Sequence, residues 1–391
     1  MAVEASSGAR SLLPYWRLSG FYFFFFAALG AIMPYWGPYL RTEGFSSAEI
    51  GLLLAILHAT KIIAPNVWGA LADRLDRRMA VVRAASVVAL LAFSAILVVE
   101  AFGPVALVMA LFGFFWNAAL PQYEANTFNH LRGQEHRYSR VRLWGSVGFI
   151  LSVMGIGEML DRAGFDALPY VVLLIFCGLV VSSLLAPEAQ QGMQRNAGDG
   201  FWRTLRQPAV IGFFLACFLN QMGHGPFYGF FSIYLEDHGY RGGVIGALWA
   251  WGVVAEIGIF LVMHRLLPRF GARILLAMAL ALGGVRWLMV AAWVDSVWLV
   301  ALSQTFHAAS FGVYHAVAID TVNRFFIGSA QGRGQALYSS LTFGAGVAAG
   351  SLLSGLAWDQ FGGQTFLAAS AVAFLAAILA ALSLRSWRVA V

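Results

Sequence analysis

At 391 residues, 60% of them hydrophobic and 11% charged, the chain is too poor in polar side chains to cover a water-soluble fold, where about a quarter of residues are charged. A mean hydropathy of +0.73 makes lipid the solvent. The net charge of +6 does not point to nucleic acid, because the basic residues punctuate apolar runs and form no basic face; Cys177 and Cys217, each inside an apolar run, exclude a disulfide framework or zinc-ligand spacing.

A bilayer crossing takes about 20 mainly apolar residues. That length predicts twelve helical spans, at 15–40, 47–71, 79–100, 103–131, 139–161, 167–186, 208–235, 242–264, 272–293, 296–322, 331–357 and 364–384. The expected fold class is an all-α membrane protein of two six-helix bundles, 1–186 and 208–391. The polar interval 187–207, with Pro187, Glu188, Gln190, Gln191, Arg195, Asn196, Asp199 and Gly200, reads as a flexible cytoplasmic linker between them. The apolar stretch 20–33 is not a cleavable signal, since no small-residue cleavage site follows it. With both termini cytoplasmic, only Arg41, Arg162 and Arg241 fall outside and Lys61, Arg142 and Arg286 within spans. The remaining basic residues lie on the cytoplasmic side, as the positive-inside rule requires.

In span 1, the run Phe23 to Phe26 circles its helix at about 100° per residue, so most of it must face lipid or neighbouring helices. Trp16 and Trp387 read as interface-belt residues. Span 2 holds His58 and, one turn later, Lys61, the chain's single lysine. An ionisable group at mid-membrane is expensive and marks function unless it is a structural ion pair. Glu124 on span 4 and Arg142 on span 5 each lie about nine residues, roughly 13 Å, from the turn at Gly133, so they are expected to meet at matched depth.

In the second half, "NQMGHGPFYGFF" (220–231) of span 7 combines the breakers Gly223, Gly225 and Pro226 with Asn220, His224 and Tyr228 at four-residue spacing on one face. Arg286 on span 9 and His307 on span 10 are equidistant from the turn at Asp295–Ser296, each about 16 Å deep, and Glu256 on span 8 lies at comparable depth. These three are expected to form a buried triad, in which a carboxylate beside an arginine suits a tunable proton site. Counting Lys61, Arg142 and Arg286 against Glu124 and Glu256 leaves a surplus buried cation, which calls for an anionic solute.

An internal repeat is visible at an offset of 195, laying 38–53 over 233–248 with Tyr39, Leu40, Gly44, Ile50 and Gly51 on Tyr234, Leu235, Gly239, Ile245 and Gly246. At 198, Gly157, Asp161 and Gly164 fall on Gly355, Asp359 and Gly362. Two parallel six-helix repeats with the solute site between them are one way transporters are built. Between spans 2 and 3, "GALADRLDRR" (69–78) resembles the loop motif Gly-x-x-x-Asp-Arg-x-Gly-Arg-Arg of the major facilitator superfamily, with Asp76 where the second glycine is usual. A degenerate counterpart is "HRLLPRFGAR" (264–273). The resemblance implies that Gly69, Asp73, Arg74, Arg77 and Arg78 gate the cytoplasmic side.

"PQYEA" (121–125) and "RVRLWGSVGF" (140–149) are similar to the sugar-contacting stretch of the lactose permease family, which implies solute contacts by Glu124 and Arg142 and stacking by Phe149 in place of a tryptophan. "RLWGSV" (142–147), "WGVVAE" (251–256), "VRW" (285–287), "HAASFGVYH" (307–315), Lys61, His224 and Tyr228 resemble the phenylpropionate permease family. That resemblance implies proton-coupled uptake of an aromatic carboxylate. The expected solute contacts are therefore Lys61, Glu124, Arg142, Phe149, Asn220, His224, Tyr228 and Arg286, and the expected proton-coupling groups are Glu256, Arg286, His307 and His315. A sugar or nucleoside proton symporter, or a non-transporting solute sensor, is the alternative; no nucleophile–base motif suggests an enzyme. No cofactor or metal is expected beyond a coupling proton, and the partners expected are a small solute and lipid, for a monomer in a bacterial inner membrane.

Overall fold

The computed structural model describes residues 13–189, 200–328 and 330–385, so Trp387 and the linker positions Gln190, Gln191, Arg195, Asn196 and Asp199 lie outside the described residues. The described chain is helical throughout. The first six spans are Tyr15–Thr42, Ser47–Leu75, Arg78–Ser94, Phe102–His130, Tyr138–Ala163 and Leu168–Leu185. Span 7 is two helices, Pro208–Gly223 and Gly225–Asp237, broken at His224 where the Gly/Pro cluster predicted it. Spans 8 and 9 run together over Gly242–Ala292, separated by non-helical Gly271, and span 12 is Thr365–Ser383.

Among the described residues, eight helices are long and apolar enough to cross a membrane. Two of those, of 51 and 54 residues, each contain two crossings, and spans 7 and 10 fall short because they are interrupted. Span 10 comprises Val297–Thr305, a π-helical turn Ala308–Val313 and Tyr314–Phe325; span 11 comprises Ala330–Ser339, a π turn Ser340–Gly346 and Val347–Phe361. Such π turns cluster at functional sites, and the sequence gives no warning of either. The expected linker is not uniformly irregular. Glu188 caps the start of span 3 by accepting from the Met79 N–H at 3.0 Å, and Phe201–Leu205 is a short helix.

The repeat is written into the backbone. Left-handed φ occurs at Gly44 and Gly239, at Asp76 and Gly271, and at Gly133 and Gly328, every pair at the 195 offset, and at Gly164 and Gly362 at 198. Asp76 caps the end of span 2 with φ 54°, a conformation that glycine adopts freely and other residues rarely. Its partner Gly271 also has a positive φ, 73°, which is why glycine is usual at this place in the motif.

The halves meet mainly at the face opposite the helix ends at Tyr15 and Ser383. There span 1 packs on span 7, span 2 on span 11 and span 5 on span 8. The span 2–span 11 contact brings Gly51 against the backbone of Gly355, and the span 5–span 8 contact brings Gly157 against Gly242, so a side chain at either place would collide with main chain. Polar bonds seal the same rim. Arg41 Nη2 and Nη1 reach Glu236 at 2.7 Å and Asp237 at 2.6 Å, Asp161 accepts from the Gly242 and Gly243 N–H groups at 2.7 and 2.9 Å, and Ser47 donates to Asp359 at 2.5 Å. The apolar core repeats the pattern. One cluster unites the first half with the far-face portion of the second, including Phe227, Trp249 and Trp358, while a separate cluster around Phe213, Leu276, Val317 and Phe325 fills the second half near the terminal face. Below mid-depth, where Ser340 donates to the Ile62 carbonyl at 3.4 Å, no hydrogen bond or ion pair joins the halves among the described residues. The bundle is closed at the far face and split at the terminal face.

Candidate functional site

Within that split lies a cavity of about 220 Å³ between spans 1, 2, 4 and 11. Phe25, Phe26, Trp116 and Phe343 supply aromatic walls; Lys61, His58 and Asn117 supply the polar ones. Phe25 and Phe26 thus correct the expectation that the Phe23–Phe26 run is spent mostly on lipid and packing: two of its four rings face the centre. Lys61 makes no ion pair or hydrogen bond among the described residues, so its ammonium is an unmatched positive charge on an aromatic cavity.

The expected Glu124–Arg142 ion pair does not form. Glu124 instead accepts from the Tyr138 hydroxyl at 3.1 Å, and the Arg142 guanidinium lies over the Phe26 ring at 3.7 Å. Sequence depth was matched, but helix rotation gives each group a nearer partner; a guanidinium on an aromatic face is worth about 0.5–2 kcal/mol. Phe149, expected to stack on the solute, is 8% exposed and buried in the core of the first half, and it is not among the residues lining this cavity.

Across the split, Glu256, His307 and Arg286 come together. His307 Nε2 stands 3.5 Å from a Glu256 carboxylate oxygen, and Arg286 Nη1 donates to His307 Nδ1 at 3.1 Å. That geometry puts the neutral imidazole's own proton on Nε2, facing the carboxylate. Arg286 is fully buried, donates also to Gln304 at 2.8 Å and Ser310 at 3.3 Å, and lies over the rings of Phe227 at 4.3 Å and Trp287 at 4.2 Å. It has no carboxylate partner, and it is sealed from the cavity, contrary to the expectation of a direct solute contact. The Glu256 side chain, 17% exposed, faces the split, within electrostatic range of His315 and Arg142. His315 also faces Tyr338 across 3.3 Å. The π turn in span 10 follows His307 immediately, and His307, Phe311 and His315 stack along it.

Span 7 connects the two regions. His224 Nδ1 donates to the Asn220 carbonyl at 2.8 Å, and its ring packs edge-on to Trp287; both residues are buried within the second half. Tyr228, a turn later, lies 6.1 Å from the His58 ring across the interface between halves. The 69–78 loop keeps its bonds inside the first half: Arg78 pairs with Asp73 at 2.6 Å and donates to Gln122 at 2.6 Å, while Arg74 and Arg77 are exposed. Gly69 meets only the Gln122 side chain, at 3.4 Å from an added Cβ, so it does not mark a backbone approach. Trp116 and Asn117 were missed in the sequence. A lone Asn within an apolar span was the available signal.

Two six-helix bundles related by a repeat, closed on one face around a charged central cavity, define a major facilitator-type membrane transporter rather than an enzyme. The chain belongs to the MFS_1-like family, whose profile matches residues 15–368. It is 28% identical over 376 residues to a probable 3-phenylpropionic acid transporter of Escherichia coli K12, covering 93% of this chain and 96% of that one. It is 25% identical over 351 residues to a maltose permease of Geobacillus stearothermophilus, covering 87% of each. Among solved structures, the nucleoside transporter NupG superposes with a TM-score of 0.82 at 16% identity, covering 95% of this chain and 99% of that one. A bacterial homologue of the lysosomal transporter Spinster, inward-facing and unoccupied, gives 0.73 at 15%, covering 97% and 98%.

Proposed function

We propose that the protein is a proton-coupled symporter that takes up a single-ring aromatic carboxylate across a bacterial inner membrane. In this reading the terminal face, where the helix ends at Tyr15 and Ser383 and the 69–78 loop lie, is cytoplasmic, which makes this the inward-open state. The observation that carries the reading is the unpaired Lys61 ammonium on an aromatic cavity of about 220 Å³. That volume is below the ~300 Å³ at which drug-sized sites begin. A half-buried cation without a partner in a mainly apolar cavity becomes costly once the cavity closes, and a carboxylate supplies the missing charge while the ring packs on Phe26, Trp116 and Phe343. The 3-phenylpropionic acid relative supports this chemistry. The maltose relative favours a sugar, but the absent Glu124–Arg142 pair and the buried Phe149 weigh against it.

Glu256 carries the proton in this reading, with the His307 ring 3.5 Å from its carboxylate and Arg286 holding His307 in place. One monovalent anion moving with one proton is electroneutral, so a pH gradient drives uptake and voltage alone, worth about 2.3 kcal/mol per charge per 100 mV, does not. The test is binding by purified protein of 3-phenylpropionate and of its neutral amide. Lys61→Gln should weaken the acid at least tenfold and leave the amide within about twofold, the loss expected when a charged hydrogen-bond partner is removed. Equal losses for both, or binding of neutral sugars alone, would sink the carboxylate reading.

A further inference from the structure

Asn117 stands on span 4 at the cavity wall and is 8% exposed. Its amide nitrogen donates to Thr60 Oγ1 at 2.8 Å and to the Leu57 carbonyl at 3.3 Å. The Thr60 hydroxyl spends its own proton on that same Leu57 carbonyl, at 2.7 Å, so its oxygen can only accept from Asn117. Both partners being acceptors, the amide cannot be flipped without breaking two bonds. Its orientation is therefore fixed, and the side-chain carbonyl oxygen Oδ1 is left over. Among the described residues Oδ1 has no donor. Unlike Trp116 Nε1 and both His58 ring nitrogens, it is not among the buried atoms shut away without a partner.

The cavity therefore offers a solute a cation at Lys61 and a fixed neutral acceptor at Asn117, beside the rotatable hydroxyl of Ser339 and with the His58 ring nitrogens shut away, within walls that are otherwise mainly apolar. A carboxylate satisfies the first. It cannot satisfy the second, since acceptor faces acceptor. Resting on the carboxylate reading above, we propose that Asn117 is a specificity-determining residue that accepts a hydrogen bond from a donor on the solute's ring, so that the preferred substrate is a hydroxylated aryl acid. A ring hydroxyl adds one heavy atom, donates to Oδ1 and leaves the aromatic packing intact. An acid without a donor leaves that oxygen unmet once the cavity is dry, which is costly.

The test keeps the protein whole and changes the ligand first. Affinities are measured for 3-phenylpropionate, its ring-hydroxylated isomers and the matching methoxy ethers, which keep the oxygen and lose the donor. At least one hydroxylated isomer should bind about three- to tenfold tighter than both the parent acid and its own ether, the range of a net neutral hydrogen bond. In Asn117→Leu that advantage should vanish, with the parent acid binding no more weakly than it does to the unaltered protein, because the unmet acceptor is gone. Equal binding of parent, hydroxyl and methoxy acids by the unaltered protein overturns the assignment without needing the variant, as does an advantage that survives in Asn117→Leu. Failure of every acid to bind would overturn the carboxylate reading as well, which separates the two failures.

Discussion

Removing Arg41 should loosen the far-face seal by a predictable amount. Its guanidinium bridges from span 1 to Glu236 and Asp237 at the end of span 7, with side-chain exposures of 37%, 19% and 49%. Solvent screens such partly exposed pairs to about 0.5 kcal/mol each. Arg41→Ala therefore costs closure about 1 kcal/mol, a roughly fivefold shift toward the far-face-open state; Arg41→Glu adds repulsion and raises this to about 2 kcal/mol, or roughly thirtyfold. Position 41 plus 195 is position 236, so span 1 and span 7 meet here at equivalent places in the two repeats, carrying opposite charges. The geometry is then nearly indifferent to which half holds which sign, and Arg41→Glu combined with Glu236→Arg should recover most of the closure. The assay is the rate at which an impermeant maleimide labels Leu54→Cys in intact cells, with Cys177 and Cys217 replaced. Leu54 is 1% exposed, behind this seal against Gly229. An unchanged rate in Arg41→Glu, or no recovery in the swapped pair, would refute the idea that this ion pair holds the face shut.

Asp161→Asn and Asp359→Asn should each raise the same labelling rate about two- to fivefold, from loss of roughly 0.5–1 kcal/mol of charge-assisted bonding, and additively, since they serve different helix pairs; a double variant no faster than either single one would contradict this. Asp76→Gly should raise the thermal midpoint by relieving a left-handed aspartate, by up to about 1 kcal/mol, whereas Gly271→Ala should lower it; opposite signs would count against the strain account. Glu256→Gln should abolish concentrative uptake in proteoliposomes while sparing solute exchange, because exchange never requires the empty carrier to return. Uptake that persists would remove Glu256 as the proton carrier.

The turns were legible because a left-handed residue leaves a chemical trace. Gly44, Gly133 and Gly164 recur as Gly239, Gly328 and Gly362, and the pairs at 44/239 and 164/362 could be read at fixed offsets before any coordinates. The break in span 7 was legible for a similar reason. Pairings were not. Equal depth put Glu124 beside Arg142, but depth says nothing of rotation about each helix axis, and Phe26 took the guanidinium. The cavity walls were hidden because Phe25, Trp116 and Phe343 are the same residue types that fill cores; only their rotation separates a lining ring from a packed one. Asn117 carried a signal, since an unpaired amide in an apolar span is anomalous. A search confined to formal charge passes over it.

The two repeats also account for the placement of Lys61 and Glu256. Spans 2 and 8 run between matching left-handed residues, Gly44 to Asp76 and Gly239 to Gly271, with no insertion, so equivalent depths are fixed at both ends. At that register Lys61 falls on Glu256. The cation that faces the cavity in one half and the acid that faces the split in the other thus hold equivalent positions in the two repeats, with opposite signs. The pair at 41 and 236 shows the same divergence where the helices touch. At mid-depth the two do not form an ion pair among the described residues, and that separation suits the symport proposed above. A Lys61–Glu256 ion pair would neutralise both sites and leave neither anion nor proton anything to bind. Under the symport proposed above, with the two held apart across the split, the solute anion would complete Lys61 and the proton would complete Glu256. On that proposal the carrier would be electrically satisfied when both are loaded, or when both are gone and the halves have closed on each other. Intermediate loading leaves one charge exposed to a closing, low-dielectric core, which is a physical reason for the two cargoes to move together.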